Sequence, residues 1–200
     1  MSPKAVLGYI DRLSMQKLSR RRALLVGAGA ALAPQLARAS QVPRPAQDLV
    51  IIRTGGEQLR LSQYRGKIVV LEVLLTTCPH CQRCASVMQK VVPEYKAHGV
   101  EALGAAINDE ARMDLLRFEM GAGSRFPIGI ADRNKAYAFL EADPNKGPVY
   151  FPQLLLIDRK GVIRAHYPGT DKFFEQEEAN LRKMLDMLVK EQSAPQGAKK

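Results

Sequence analysis

The sequence predicts an α/β domain with a mixed central sheet and helices on both faces. Three observations lead there. Residues 67–75 and 100–107 are apolar runs of buried-strand type, the first broken only by Glu72 between its ends. Each run is followed by a segment with helical spacing, as in parallel strands joined by crossover helices. Residues 154–158 and 162–167, joined by Arg159-Lys160-Gly161, read as an antiparallel hairpin.

The elements follow in order. Residues 1–39 read as an export signal. A long basic stretch ending in Arg20-Arg21-Arg22 precedes an apolar run of 11 residues, Ala23 to Ala33, and Ala37-Arg38-Ala39 supplies a cleavage site before Ser40. The arginine run before a Gly/Ala-rich segment resembles the twin-arginine type. The run is shorter than the roughly 18 residues that span a bilayer. Cleavage after Ala39 is expected, with an uncleaved membrane anchor as the alternative. Residues 40–47 read as an extended linker, because Pro43 and Pro45 disfavour helix and central strand. Residues 48–53 and 58–61 form a hairpin around Gly55-Gly56. After the 67–75 strand comes a helix over 79–98, kinked at Pro93. The 100–107 strand is followed by a helix over 110–120, capped by Asn108 or Asp109. A short strand at 126–130, a helix at 134–140 and a loop at 141–150 lead to the terminal hairpin. The last helix, 174–190, places Leu181, Leu185 and Leu188 on one face. A polar tail, 191–200, is expected to be disordered. The folded domain is thus assigned to 48–190.

Charge does not point to nucleic acid. Of the formal +10, residues 1–39 hold seven Lys/Arg and one Asp, and the rest hold 23 Lys/Arg and 19 Asp/Glu. No basic motif is interleaved with aromatics. The three cysteines, Cys78, Cys81 and Cys84, fall within seven residues. That clustering suits catalysis or metal binding rather than a disulfide framework.

Cys78-Pro79-His80-Cys81 stands at the junction of a buried strand and a helix. Unpaired backbone N–H groups and the helix dipole there favour a thiolate at Cys78, the form that attacks disulfides. Cys81 lies one turn on, within reach to resolve a mixed disulfide. His80 is either a solvent-facing spacer or a stabiliser of the Cys78 thiolate through its dipole and any positive charge. The second role would raise the reduction potential. Cys84 lies about 9 Å along the axis from Cys78, too far for a disulfide without unwinding. It reads as a small buried thiol, with a regulatory thiol or a metal ligand as alternatives. An iron–sulfur reading lacks its fourth cysteine. Copper or zinc could add His80 or His166 as a ligand, although His166 reads first as an edge-strand surface residue. The P-x-x-x-T-x-x-C pattern of peroxidatic cysteines would need Pro and Thr where Leu71 and Leu75 stand, so peroxidase activity is disfavoured.

Four pieces in order resemble the thioredoxin fold, and within it the TlpA/ResA-type exported thiol–disulfide oxidoreductases. They are residues 48–61 leading to Arg65-Gly66-Lys67; Cys78-Pro79-His80-Cys81; Phe126-Pro127 with Ala131-Asp132; and Pro152 before 154–161. The resemblance implies a thioredoxin-like domain with an N-terminal β-hairpin. It makes Cys78 the nucleophile, Cys81 the resolving thiol, and Pro152 a cis-proline facing the dithiol. Glu72 becomes the buried carboxylate that takes the Cys81 proton, a role that a lone Glu in an apolar strand supports physically. The expected activity is periplasmic thiol–disulfide exchange by a monomer without cofactor or bound metal, reduction of protein disulfides first, with oxidation of substrate thiols by the same residues as the reverse direction toward which the Pro79-His80 dipeptide pulls. Its partners are protein disulfides or dithiols and a membrane thiol reductant for recycling. Two positions depart from the pattern: Thr77 replaces the usual Trp, and Phe151 stands before the proline, where its ring narrows access to the dithiol. Pro79, His80, Phe151 and Cys84 are read as modulators. The alternative function is a copper- or zinc-binding metallochaperone using Cys78, Cys81 and Cys84.

Overall fold

The structure, a computed structural model, describes residues 41–193. Residues 1–40, which include the stretch read as an export signal, and residues 194–200 lie outside the described residues. The strands are β1 (Arg44–Pro45), β2 (Val50–Ile52), β3 (Gln58–Arg60), β4 (Ile68–Leu74), β5 (Val100–Ala106), β6 (Ile128–Ala131), β7 (Gln153–Ile157) and β8 (Val162–Pro168). The α-helices are α1 (Pro79–Val91), α2 (Ala111–Ala122), α3 (Arg133–Leu140) and α4 (Glu177–Ser193).

One sheet runs β1-β8-β7-β4-β5-β6-β2-β3. β4, β5 and β6 are parallel, and every other pairing is antiparallel. β4 is central and all seven of its residues are buried, because helices cover both of its faces. Alternation sends Val69, Leu71 and Val73 toward α3, where Phe139 and Leu140 pack. Ile68 and Val70 point the other way, onto Met88 of α1 and Leu181, Leu185 and Leu188 of α4. Glu72 belongs to this second row. Toward the end of β4, Leu74 packs with Cys81 of α1 and with Leu115 and Phe118 of α2.

Several boundaries differ from the sequence expectation. The supposed linker supplies β1, which pairs with β8 through Arg44↔Ile163 and Pro45↔Val162. Proline is admissible there because β1 is an edge strand, where a missing N–H costs no ladder bond. The helix expected over 79–98 ends as α-helix at Val91 and continues as a 3-10 segment, Val92–His98. Pro93 cannot donate the next helical hydrogen bond, so the winding changes there. The final helix is preceded by a 3-10 turn, Lys172–Gln176, starts at Glu177 and passes Lys190. No helix of the described residues is long and apolar enough to cross a membrane.

Candidate active site

β4 delivers the chain to Leu75-Thr76-Thr77, and Cys78 is the N-cap of α1 with Pro79 at the first helical position. Both residues suit those places. The Cys78 sulfur accepts a hydrogen bond from the free N–H of Cys81 at 3.3 Å, and Pro79 has no N–H to leave unpaired. Cys78 is half-buried; Cys81 and Cys84 are fully buried, and all three thiols are free.

Opposite Cys78 stands the loop that enters β7. The Phe151–Pro152 peptide is cis. The Phe151 carbonyl faces the Cys78 thiol, S to O 3.9 Å. The Phe151 side chain, like that of half-buried Cys78, packs against the cluster that holds Cys81. Behind the loop, Gln153 donates from Nε2 to the Tyr150 carbonyl at 2.6 Å. Its Oε1 pairs with His166 Nε2 at 2.6 Å. Gly169 donates its N–H to the same Tyr150 carbonyl. A Cβ on Gly169 would stand 2.4 Å from the Phe151 oxygen, so only glycine fits beside this loop.

His166 is therefore not the free surface residue that its place in the sequence suggests: its side chain is half-buried against Gln153, and burial, followed by the Arg44 charge, lowers its pKa to about 4. The loop before Cys78 has its own latch. Asn108, just past β5, accepts from Thr76 N–H at 2.9 Å and donates to Thr76 Oγ1 at 2.8 Å. Its side chain is thus spent on the active-site loop and does not cap α2, whose N-cap is Glu110 without a side-chain bond.

Glu72 lies beneath the dithiol with 0% exposure. Burial raises its carboxyl well above the usual range, and Glu177 and Cys78 push in the same direction. Burial, then the Glu72 carboxylate, raise the Cys81 thiol far above its ordinary value. The same two causes act on Cys84. The His80 ring meets the edge of Phe174, centroids 4.8 Å apart, and burial followed by Arg83 lowers its pKa, which works against the positive-charge reading. No group of three or more His, Cys, Asp or Glu among the described residues is arranged to hold a metal ion.

A thiol at a helix N-terminus, a buried partner one turn on, a carboxyl beneath and a cis-proline loop opposite define a thioredoxin-like protein with a redox dithiol. The chain belongs to the AhpC/TSA family, which it matches over residues 42–166. It is 35% identical over 125 residues to the thiol-disulfide oxidoreductase ResA of Geobacillus kaustophilus, covering 62% of this chain and 68% of that one. It is 32% identical over 143 residues to the ResA of Halalkalibacterium halodurans, covering 70% and 76%. Among solved structures, a putative thiol:disulfide interchange protein DsbE from Chlorobium tepidum aligns with TM-score 0.58 at 19% identity, over 72% of this chain and 96% of that chain. A protein described as a putative protein disulfide isomerase from Bacteroides thetaiotaomicron aligns with TM-score 0.61 at 24% identity, over 75% and 91%. These structures establish the thioredoxin-like fold. The chain is a thiol–disulfide oxidoreductase.

Four residues of the site were not legible as such in the sequence: Asn108 as a latch, Gln153, Gly169 and Glu177. Gly169, after the terminal hairpin, carried the one available signal, since a glycine opposite a predicted cis-proline loop suggests close backbone approach.

Proposed function

We propose that the protein reduces disulfides of exported proteins in the periplasm, with Cys78 as nucleophile and Cys81 as resolving thiol. The observation that carries this reading is the asymmetry of the pair, Cys78 half-buried at the helix N-terminus and Cys81 buried against Glu72. The Cys78 thiolate attacks one sulfur of the substrate disulfide and expels the other as a thiolate. Glu72 takes the Cys81 proton, and the Cys81 sulfur attacks Cys78. The second substrate thiolate leaves, two electrons have passed to the substrate, and Cys78–Cys81 is a disulfide. An extended substrate segment would lie along the cis-proline loop, pairing with the backbone around Phe151.

The lowered pKa of His80 works against a cation beside Cys78 and so favours the reducing direction. A cation there would stabilise the reduced form and make the protein a stronger oxidant. The signal-like features of residues 1–39 support export, and a membrane thiol reductant would restore the dithiol. Leu71 and Leu75 stand where a peroxidatic site needs Pro and Thr, which argues against peroxide as substrate.

The test is the reduction potential of the pair together with Cys81→Ser. A potential near about −270 mV and mixed disulfides trapped on Cys78 by Cys81→Ser are expected. A value near about −120 mV would reverse the direction, and no reversible two-electron couple would overturn the redox role of the pair.

A further inference from the structure

A group with no solvent exposure that must gain and lose a proton in each cycle needs a path for it. Glu72 is such a group. The structure puts a second carboxyl on its outer side. Glu177 opens α4, is 6% exposed, and has both carboxyl oxygens buried without a hydrogen-bond partner, as does Glu72. The adjacent Glu178 behaves in the ordinary way for a first-turn residue, half-exposed and paired with Lys90 at 2.9 Å and with Arg182. Glu177 instead turns inward. The Cys84 thiol of α1, itself 0% exposed, faces both Glu72 and Glu177. On its outer side Glu177 meets Arg83, Nε to Oε2 3.6 Å, and the Arg83 side chain is 60% exposed.

We propose that Glu177 is a positioning residue for the proton of Glu72: the two carboxyls share one proton through the Cys84 thiol, and Glu177 exchanges it with solvent beside Arg83. This rests on the reading of Glu72 as the base for Cys81. Glu72 first gives up its proton: its O–H bond breaks as the Cys84 sulfur takes that proton and passes its own to the Glu177 carboxylate. The Glu72 carboxylate so formed then takes the Cys81 proton, the S–H bond breaking as a new O–H bond forms on Glu72. Cys84 ends as it began, no electrons move, and Glu177 releases the proton to water. Two carboxyls in one dry site cannot both ionise readily, so they titrate as a pair. Glu72 faces Cys78, Cys81, Cys84 and Glu177; Glu177 faces Cys84 and Arg83. The negative charge belongs on Glu177, next to the guanidinium, and the proton on Glu72.

Ellman's reagent separates the steps, because Cys78 attack and Cys81 resolution each release one coloured thiolate. In reduced protein, Glu177→Gln is expected to slow the second release at least about tenfold and to move its pH midpoint downward, since the neighbouring charge is gone. The first release stays as in the wild type, and Glu177→Asp recovers part of the rate. Cys84→Ala keeps both carboxyls, removes the bridge, and is expected to slow the second release as well; it also serves if Glu177→Gln does not fold. Second-release rate and pH midpoint equal to wild type in Glu177→Gln, or in Cys84→Ala where that variant alone folds, would overturn the relay. If Glu72→Gln also resolves at the wild-type rate, the assignment of Glu72 as base is what failed. If Glu72→Gln is slow and Glu177→Gln is not, the relay alone is wrong.

Discussion

The front and the back of the dithiol are built on opposite terms. In front, polar groups are paired: the Cys78 sulfur with Cys81 N–H, Thr76 with Asn108, Tyr150 with Gln153 and Gly169. Hydrogen bonds there hold two loops from distant parts of the chain at a set separation. Behind, Glu72 and Glu177 are buried beside Cys84 and apolar side chains; neither Glu72 oxygen has a hydrogen-bond partner, and Glu177 has the ion-pair contact to Arg83 at 3.6 Å. A buried carboxyl without a partner, as Glu72 is, is costly, and the cost is lowest when it is protonated. The front thus carries geometry, and the back carries proton affinity. Substitutions should separate along that line: front changes should alter attack by Cys78, and back changes should alter resolution by Cys81 and the dependence of both stability and rate on pH.

The largest effect is expected at the back. Glu72→Gln should slow resolution by about 10²-fold or more, as loss of a general base does. It should also change stability in a defined direction. The Glu72 carboxyl is raised in the folded protein, so its contribution to stability is full below the ordinary glutamate range and is lost as pH climbs toward the raised value. The reduced wild type should therefore weaken with rising pH from about 4.5 upward, by as much as about 1.4 kcal/mol per pH unit. Urea titrations at several pH values should show that slope, and Glu72→Gln should flatten it. A slope unchanged by the substitution would place the titrating group elsewhere.

Next comes Gly169→Ala at the front. With its Cβ against the Phe151 backbone, it should cost about 1–3 kcal/mol, as other overpacked sites do. Alkylation of Cys78 should change, while the pH profile of resolution should not. The smallest of the three is Asn108→Ala, which removes two hydrogen bonds to Thr76 and should cost about 1–3 kcal/mol at most, near the lower end because Asn108 is half-exposed. Thermal melts and the rate of the first release from Ellman's reagent measure both. Either variant shifting the resolution profile as Glu72→Gln does would dissolve the division between front and back.

Much of the front was legible in the sequence. Cys78 and Pro79 announce a helix start by their own chemistry, and the buried strand before them sets their depth. Pro152 was recognisable from its place ahead of an apolar strand, by resemblance. The back was half legible. Glu72 stood out because a lone charge in an apolar run must be buried or misplaced. Cys84 read as a small buried thiol, which it is, but nothing around it in the chain names its neighbours. Glu177 looked like any acidic residue in a first helical turn, as Glu178 is.

By itself the sequence determined what local chemistry and periodicity can specify: the buried β4, the capped start of α1, the pair of cysteines one turn apart and the order of strands and helices. These depend on residues within a turn or a strand of one another, where spacing is orientation. Only the tertiary structure decided which groups meet across the sheet. The inward turn of Glu177 depends on the docking of α4 against α1, and Asn108 reaches Thr76 only because β5 lies parallel beside β4. Gly169 matters only because β8 returns the chain to Phe151. Such contacts join residues tens of positions apart, and packing selects them among many alternatives that leave the local pattern unchanged.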